Sequence, residues 1–226
     1  RRDLPGDRAG DFLMDTRTPQ EIEIMRVANR VVAEVLQRLR EEARPGVTTE
    51  ELDRQAERYI RAAGCQPAFK GYQGFPKTLC TSVNQEVVHG IPSAQRILQE
   101  GDIVGVDVGV IYEGYYGDGA CTYPVGCISA KARELMAACK KALRLGIEQA
   151  RDGNHLGDIG KAIDGCVRSA GFTVVRDLSG HGIGRSLHED PQILNYYDGR
   201  RGARLKSRMT LAIEPMINAG SHEVRT

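Results

Sequence analysis

The stretch "VDVGVIYEGYYGDGACTY", Val106 to Tyr123, sets two aspartates eleven residues apart, Asp107 inside a β-branched run and Asp118 beyond a Gly-rich turn. Side chains alternate faces along a strand, so Asp107 shares its face with Gly105 and Gly109 and points into space cleared on that side. A hairpin turning near Glu113-Gly114 returns Asp118 alongside. Two close carboxylates repel unless a proton or a cation sits between them. A surface hairpin with solvated acids would account for Asp118, but not for Asp107 or for Glu214 in the apolar run "LAIEPMI". Unpaired acids in such settings are costly. Several acids facing one cleft point instead to a divalent metal.

The histidines strengthen that reading. "SGHGIGRSLHEDP" puts His181 between two glycines, where the ring can approach a ligand closely, and His188 follows beside two acids. His89 lies in "VVHGIP". Imidazole is the commonest metal ligand and the usual proton carrier near neutrality. His155 and His222 have no such setting and read as surface residues.

The elements that must position these groups come in two copies. "PGVTTEELDRQAERYIRAAGC" (45–65) resembles "DGNHLGDIGKAIDGCVRSAGF" (152–172) at one gapless offset of 107. That offset also pairs Leu98 with Leu205, Val104 with Leu211 and Asp107 with Glu214. Glu214 is thereby the second-half counterpart of the first aspartate. Each half reads as helix, helix, then strands. Thr18–Glu21 and Thr48–Glu51 are capping boxes, the first with Pro at the opening helical position. The helix begun by Thr48 ends at Gly64. Ser129 opens a helix to about Ala150, and another runs from Leu156 to Ala170 and stops at Gly171. Strands are expected at Thr78–Val83, Ile103–Ile111, Tyr115–Tyr123, Phe172–Val175 and Met209–Ile217. The pattern predicts an α+β fold, helices on antiparallel sheet, with a cleft between pseudo-symmetric halves.

Composition excludes little. The 226 residues suffice for one sizeable core, the net charge is +1, and hydrophobic content is 41%. Neither a nucleic acid nor a membrane is expected as a partner. The six cysteines show no paired spacing, which fits a reduced, cytoplasmic chain.

The stretches "TPQEIEIMR", "GYQGFPKTLCTSVNQEVVHGIP", "EGDIVGVDVGVIYEGYYGDGA", "SGHGIGRSLHEDPQI" and "LAIEPMINAG" together resemble the type I, bacterial-type methionine aminopeptidases, of the pita-bread metallopeptidase fold. The resemblance runs from about Thr18 onward. It implies a two-metal site with Asp107, Asp118, His181 and Glu214 as ligands, the ions being cobalt, manganese, iron or zinc. It implies catalytic roles for His89, His188 and Glu214, the last as general base for a bridging hydroxide that attacks the first peptide carbonyl. The substrate methionine would enter a pocket of Tyr72, Phe75, Cys80 and Leu187, with His89 and His188 also touching substrate. The implied activity is removal of initiator methionine from nascent chains, at or near the ribosome, by a monomer. Two alternatives stand beside it: a proline-specific (Xaa-Pro) aminopeptidase of the same fold, and a catalytically inactive pita-bread protein that binds a partner.

The resemblance also sets three expectations about extent and detail. Residues 1–13 read as a disordered or upstream extension before Met14, and 14–226 as one catalytic domain with halves at about 18–124 and 125–226. The family's fifth ligand, a glutamate on a later strand, has no counterpart here. Glu223 is the only later acid and does not match its position, so a C-terminal strand reads as missing and one metal position as weakened. Finally, Ser207-Arg208 stands where the family usually has Pro-Gly, which leaves the shape of that turn open.

Overall fold

The computed structural model describes residues 16–225; Met14 and the 1–13 extension lie outside them. The first half runs α1 (Pro19–Glu42), α2 (Thr49–Ala62), β1 (Gln66–Pro67), β2 (Leu79–Val83), β3 (Ile103–Tyr112) and β4 (Tyr115–Pro124). The second runs α3 (Ala130–Gln149), α4 (Leu156–Ser169), β5 (Thr173–Val174), β6 (Gly180–Gly182), β7 (Glu189–Ile193), β8 (Leu211–Ala212) and β9 (Ile217–Asn218). No described helix is long and apolar enough to cross a membrane.

Both capping boxes form: Thr18 and Thr48 accept from the backbone of Glu21 and Glu51, whose carboxylates reach back to the caps. Each such cap contributes about 1 kcal/mol. The Glu21 carboxylate also accepts the Tyr115 hydroxyl at 2.5 Å. That bond, with those from Thr18, holds its pKa down at about 2.

β3 is the spine of the first half. It pairs antiparallel with β1 and β2 on one edge and with β4 on the other. Glu113 and Gly114 turn the hairpin with φ of 48° and 78°, the backbone twist that a two-residue hairpin favours. The period of two then sorts the strand. Val104, Val106, Val108 and Val110 are all fully buried, packed with Val35, Leu39, Leu52 and Ile60 of the two helices. Burying each such side chain contributes roughly 1.5–3 kcal/mol. The helix comes close because β4 is bare on that side: a Cβ at Gly117 would meet α1 backbone at 2.8 Å, and one at Gly119 would meet Val32 at 2.9 Å. The odd-numbered face of β3, with Asp107, is left to the cleft.

The internal repeat holds at the level of single hydrogen bonds. Gly46 donates to the Leu98 carbonyl at 2.9 Å and Gly153 to that of Leu205 at 3.0 Å. Leu98 returns a bond to Val47, and Leu205 to Asn154, at 2.8 and 2.7 Å. Bridges join Thr48 to Ile97 and His155 to Arg204. Gly64 and Gly171 close α2 and α4 with φ of 74° and 78°. Cys65 and Phe172 reach back to Ile60 and Val167 at 3.1 and 3.2 Å, the same C-terminal motif in both.

Three expectations need correction. Met209–Ile217 is not one strand: β8 pairs with β6 and β9 with β5, because Pro215 between them has no N–H to give a ladder. His155 is not a surface residue; it is half-buried at the N-cap of α4, its backbone N–H held by Asp158 at 2.8 Å. The space beside Gly109 is filled rather than clear, since a Cβ there would meet Phe69 at 2.5 Å and Ala68 at 2.8 Å. The glycine admits an apolar wall of the cleft. His222 is exposed, as expected.

Candidate active site

The β3–β4 register puts Ala120 opposite Asp107 and Asp118 opposite Gly109. The two aspartates are therefore diagonal neighbours on one face of the hairpin, close enough to interact. Asp107 keeps some surface toward the cleft. The protein packed around it nonetheless pushes its carboxyl well above the usual range, and Asp118 and then Glu214 push the same way. Asp118 leaves its Oδ1 buried without a hydrogen-bond partner.

The second half supplies the facing groups. His181 lies on β6 opposite Ala212 of β8, and Glu214 follows two residues after that strand. His181 Nδ1 lies 2.8 Å from the Gly182 carbonyl. A carbonyl only accepts, so Nδ1 carries the proton and Nε2 faces the cleft. Nε2 is 3.2 Å from Glu214 Oε1 and 3.6 Å from Asp118 Oδ2. Burial alone would pull the imidazolium pKa down, but its bonds to Asp118 and Glu214 outweigh that and raise it to about 10. A proton on Nε2 thus occupies the place between these oxygens that a cation would take.

Among the described residues, no three His, Cys, Asp or Glu side chains are drawn up to ligating geometry. What the fold does is bring His181 within reach of Asp118 and Glu214, with Asp107 beside Asp118 on the hairpin face. The orphaned Asp118 oxygen, the inward Nε2 and the electrostatic stress on Asp107 all fit a divalent cation. Mixed carboxylate and imidazole donors suit first-row ions.

Around these donors sit the other residues singled out from sequence. Tyr72, Phe75, Cys80 and Leu187 belong to one apolar cluster with Met25, Phe69 and Ile183. Cys80 is opposite Asp107 across β2–β3; burial first, then Asp107 and Asp118, push its thiol well up. His188 packs edge-on against His181, ring centroids 4.4 Å apart. Its Nδ1 is 2.8 Å from the Tyr72 hydroxyl. Burial, then the neighbouring His181, lower the His188 pKa. His89 is exposed and lies near enough for its charge to act on His188. Its φ is 59°, a conformation few non-glycine residues adopt and one that often marks functional strain. Glu223 is exposed on the segment after β9.

Two supporting residues carried no signal in the sequence. Ser82 Oγ accepts from Gly90 N at 3.2 Å while Thr81 N donates to the Gly90 carbonyl at 2.8 Å, which presses the His89 loop onto β2. Asn195, fully buried, donates to the Glu214 carbonyl at 3.0 Å. In "ILNYYDG" it reads as an ordinary turn residue.

Comparison with known proteins decides the family: the model of Metallopeptidase family M24 matches residues 23–225. The chain belongs to metallopeptidase family M24. Within that family it is 48% identical over 210 residues to methionine aminopeptidase 1 of Bacillus subtilis, covering 93% of this chain and 84% of that one. The crystal structure of methionine aminopeptidase from Thermotoga maritima superposes with a TM-score of 0.92 at 43% identity, over 94% of this chain and 86% of that one. The X-Pro aminopeptidase of the same organism, at 22% identity and TM-score 0.75 over 89% of this chain and 55% of that one, shares the fold. These are pita-bread M24 relatives, and the chain has that fold.

Proposed function

We propose that this chain is a metal-dependent aminopeptidase that removes N-terminal methionine from peptides and nascent proteins. The observation that carries the reading is the convergence of Asp107, Asp118, His181 and Glu214 beside the apolar cluster of Tyr72, Phe75, Cys80 and Leu187. The reported methionine aminopeptidases of the family support the same substrate. The proline-specific alternative shares only the fold at low identity, and the four donors argue against an inactive binding module.

In this reading Asp107, Asp118, His181 and Glu214 hold two divalent ions, drawn from cobalt, manganese, iron or zinc. Such ions lower the pKa of water and polarise a carbonyl, so hydrolysis becomes feasible near neutral pH. The side chains do the rest. Glu214, half exposed at the cleft, takes the proton of the attacking water. With Tyr72 as the donor to His188 Nδ1, the proton of the neutral ring would lie on Nε2, ready for the oxygen on which negative charge develops. His89 contacts the substrate backbone from its strained loop. The apolar cluster receives the methionine side chain, where a thiol and aromatic walls suit a thioether. One methylene more or less changes binding by only about 1–3 kcal/mol, so other long apolar first residues are cleaved slowly. We further infer a single domain acting as a monomer in the cytoplasm, on chains emerging from the ribosome.

The test is hydrolysis of Met-Ala-Ser against Ala-Pro-Ala by the metal-loaded chain, with bound metal counted by mass spectrometry. Cleavage of the first peptide alone, dependent on metal, is the expected result. A folded, metal-loaded chain that cleaves neither peptide overturns the assignment.

A further inference from the structure

The segment that carries Leu187 and His188, residues 183–189, is short and partly exposed, yet its side chains must stay in register with the metal donors. Its anchor comes from the opposite end of the chain. Arg17, just before α1, is 8% exposed. Its Nη2 pairs with Glu189 Oε2, and its Nε lies 3.4 Å from Thr210 Oγ1. Glu189 uses its other oxygen to accept from Ser186 N at 2.9 Å. One carboxylate therefore closes the turn Ser186–Glu189 from inside while Arg17 grips it from outside. The Thr210 hydroxyl donates to the Ile183 carbonyl at 2.5 Å, so both ends of the segment are tied to the same guanidinium. Arg17 N further donates to the Arg208 carbonyl at 2.9 Å.

The fit is specific to a flat group. A Cβ at Gly184 would fall on the Arg17 guanidinium, so the loop backbone lies directly against it. Arginine offers a rigid planar fork here; lysine would offer one point charge on a flexible stem. No element of the mechanism above uses Arg17, and a buried arginine is rarely placed without a partner that needs it.

We propose that Arg17 is a positioning residue for the reaction: acting through Glu189, it holds the 183–189 segment so that Leu187 and His188 face the metal donors. This rests on the proposed aminopeptidase reading for its kinetic consequences, but its structural consequence does not. A misplacement of His188 by a fraction of its ring width would lower turnover without touching the metal ligands themselves.

The experiment compares Arg17→Met, Arg17→Lys, Glu189→Gln and the Arg17→Met/Glu189→Gln double variant with the parent chain, all metal-loaded. It reads kcat and KM on Met-Ala-Ser and the ring resonances of 13C-labelled His188. Arg17→Met is expected to lower kcat/KM about ten- to a hundredfold, mostly in kcat, with metal content unchanged and the His188 resonance shifted or broadened. Arg17→Lys recovers part of the loss, and the double variant is no worse than Glu189→Gln alone. Arg17→Met kinetics within about twofold of the parent, or losses that multiply in the double variant, overturn the proposal. So does a lowered melting temperature with unchanged kinetics, which is a merely structural role. If Arg17→Met does not fold, the two conservative single variants carry the same readouts. If the parent chain cleaves no Met peptide, the function assignment fails by itself. The His188 resonance then decides: a shift in Glu189→Gln and Arg17→Lys supports the positioning role, and no shift overturns it.

Discussion

Arg208 has a φ of 70°, in the left-handed region where an L side chain crowds the following carbonyl at a cost of roughly 1–2 kcal/mol. The repeat gives an internal control. At the offset of 107, Arg208 corresponds to Gly101, whose φ is 92°. The same turn is therefore made twice in one molecule, once with the residue suited to it and once without. The turn must keep its shape in the second half because the Arg208 carbonyl accepts from Arg17 N and the next residues lead into β8 and Glu214. Among the described residues the Arg208 side chain is exposed and makes no ion pair, so nothing in it offsets the strain.

Arg208→Gly relieves that strain but gives the unfolded chain more freedom, which costs about 0.5–1 kcal/mol. The net expectation is a gain of about 0.5–1 kcal/mol. For a domain of this size that corresponds to a rise of about 1–4 °C in melting temperature. Urea and thermal unfolding of the metal-free chain are the assays, with Gly101→Ala as the reciprocal. A Cβ at Gly101 would meet only the Cys127 carbonyl, at an ordinary 3.8 Å, so its loss, of about 1 kcal/mol, is conformational rather than steric. An Arg208→Gly chain no more stable than the parent, while Gly101→Ala is destabilised as expected, would refute the reasoning.

Three further outcomes follow from the site. Asp107 has a raised carboxyl pKa in the metal-free fold, so its stabilising contribution is present below the ordinary carboxylate range and is lost as pH rises through the raised value. A divalent ion reverses this by favouring the ionised form; the metal-induced rise in melting temperature should be larger near neutrality than in mild acid, and an equal rise at both would count against the ligand set. Asp118→Asn removes one of the mutually repelling acids. It also removes an oxygen that holds the His181 proton, so it should lower the His181 pKa in an NMR titration of the metal-free chain and weaken metal binding at least about tenfold by titration. Gly90→Ala drives a Cβ into the Thr81 carbonyl and should cut kcat/KM on Met-Ala-Ser by an order of magnitude or more by displacing His89; an active Gly90→Ala chain would remove His89 from the mechanism.

What could be read from the sequence was whatever has a short period or a local cause. Capping boxes, closing glycines and the β3–β4 hairpin depend on residues a few places apart, and they form where expected. The repeat extended this reach, because it tied Glu214 to Asp107 across the chain. The strands β6 and β7 were not legible: "GHG" and "EDPQI" have neither strand propensity nor alternation, and they pair only because β8 and the cleft hold them there. Pro215 broke an apolar run that looked continuous. Ser82, Asn195 and Arg17 were invisible for a different reason. Each acts on a backbone group or a carboxylate through tertiary placement, and nothing in its neighbours along the chain marks it.

The two halves repeat a fold but divide the chemistry. The first half places its acids by regular pairing: ten consecutive residues of β3 face β4, so Asp107 and Asp118 are fixed by ladder bonds and by the bare glycine face that admits α1. The second half has strands of two to five residues at the equivalent depth: His181 sits on three-residue β6 between β7 and β8, its ring turned by the Gly182 carbonyl, and Glu214 lies beyond two-residue β8 with the Asn195 amide as a single contact beneath it. A ladder averages small errors over many bonds, whereas a single contact transmits them. Substitutions that loosen packing should therefore disturb the histidine and Glu214 side of the cleft before the aspartate side. On that argument Asn195→Ala, which touches Glu214 only through its backbone carbonyl, is more damaging to metal binding than a Val106→Ala cavity beneath Asp107, although the valine is the larger loss to stability at about 2–3 kcal/mol.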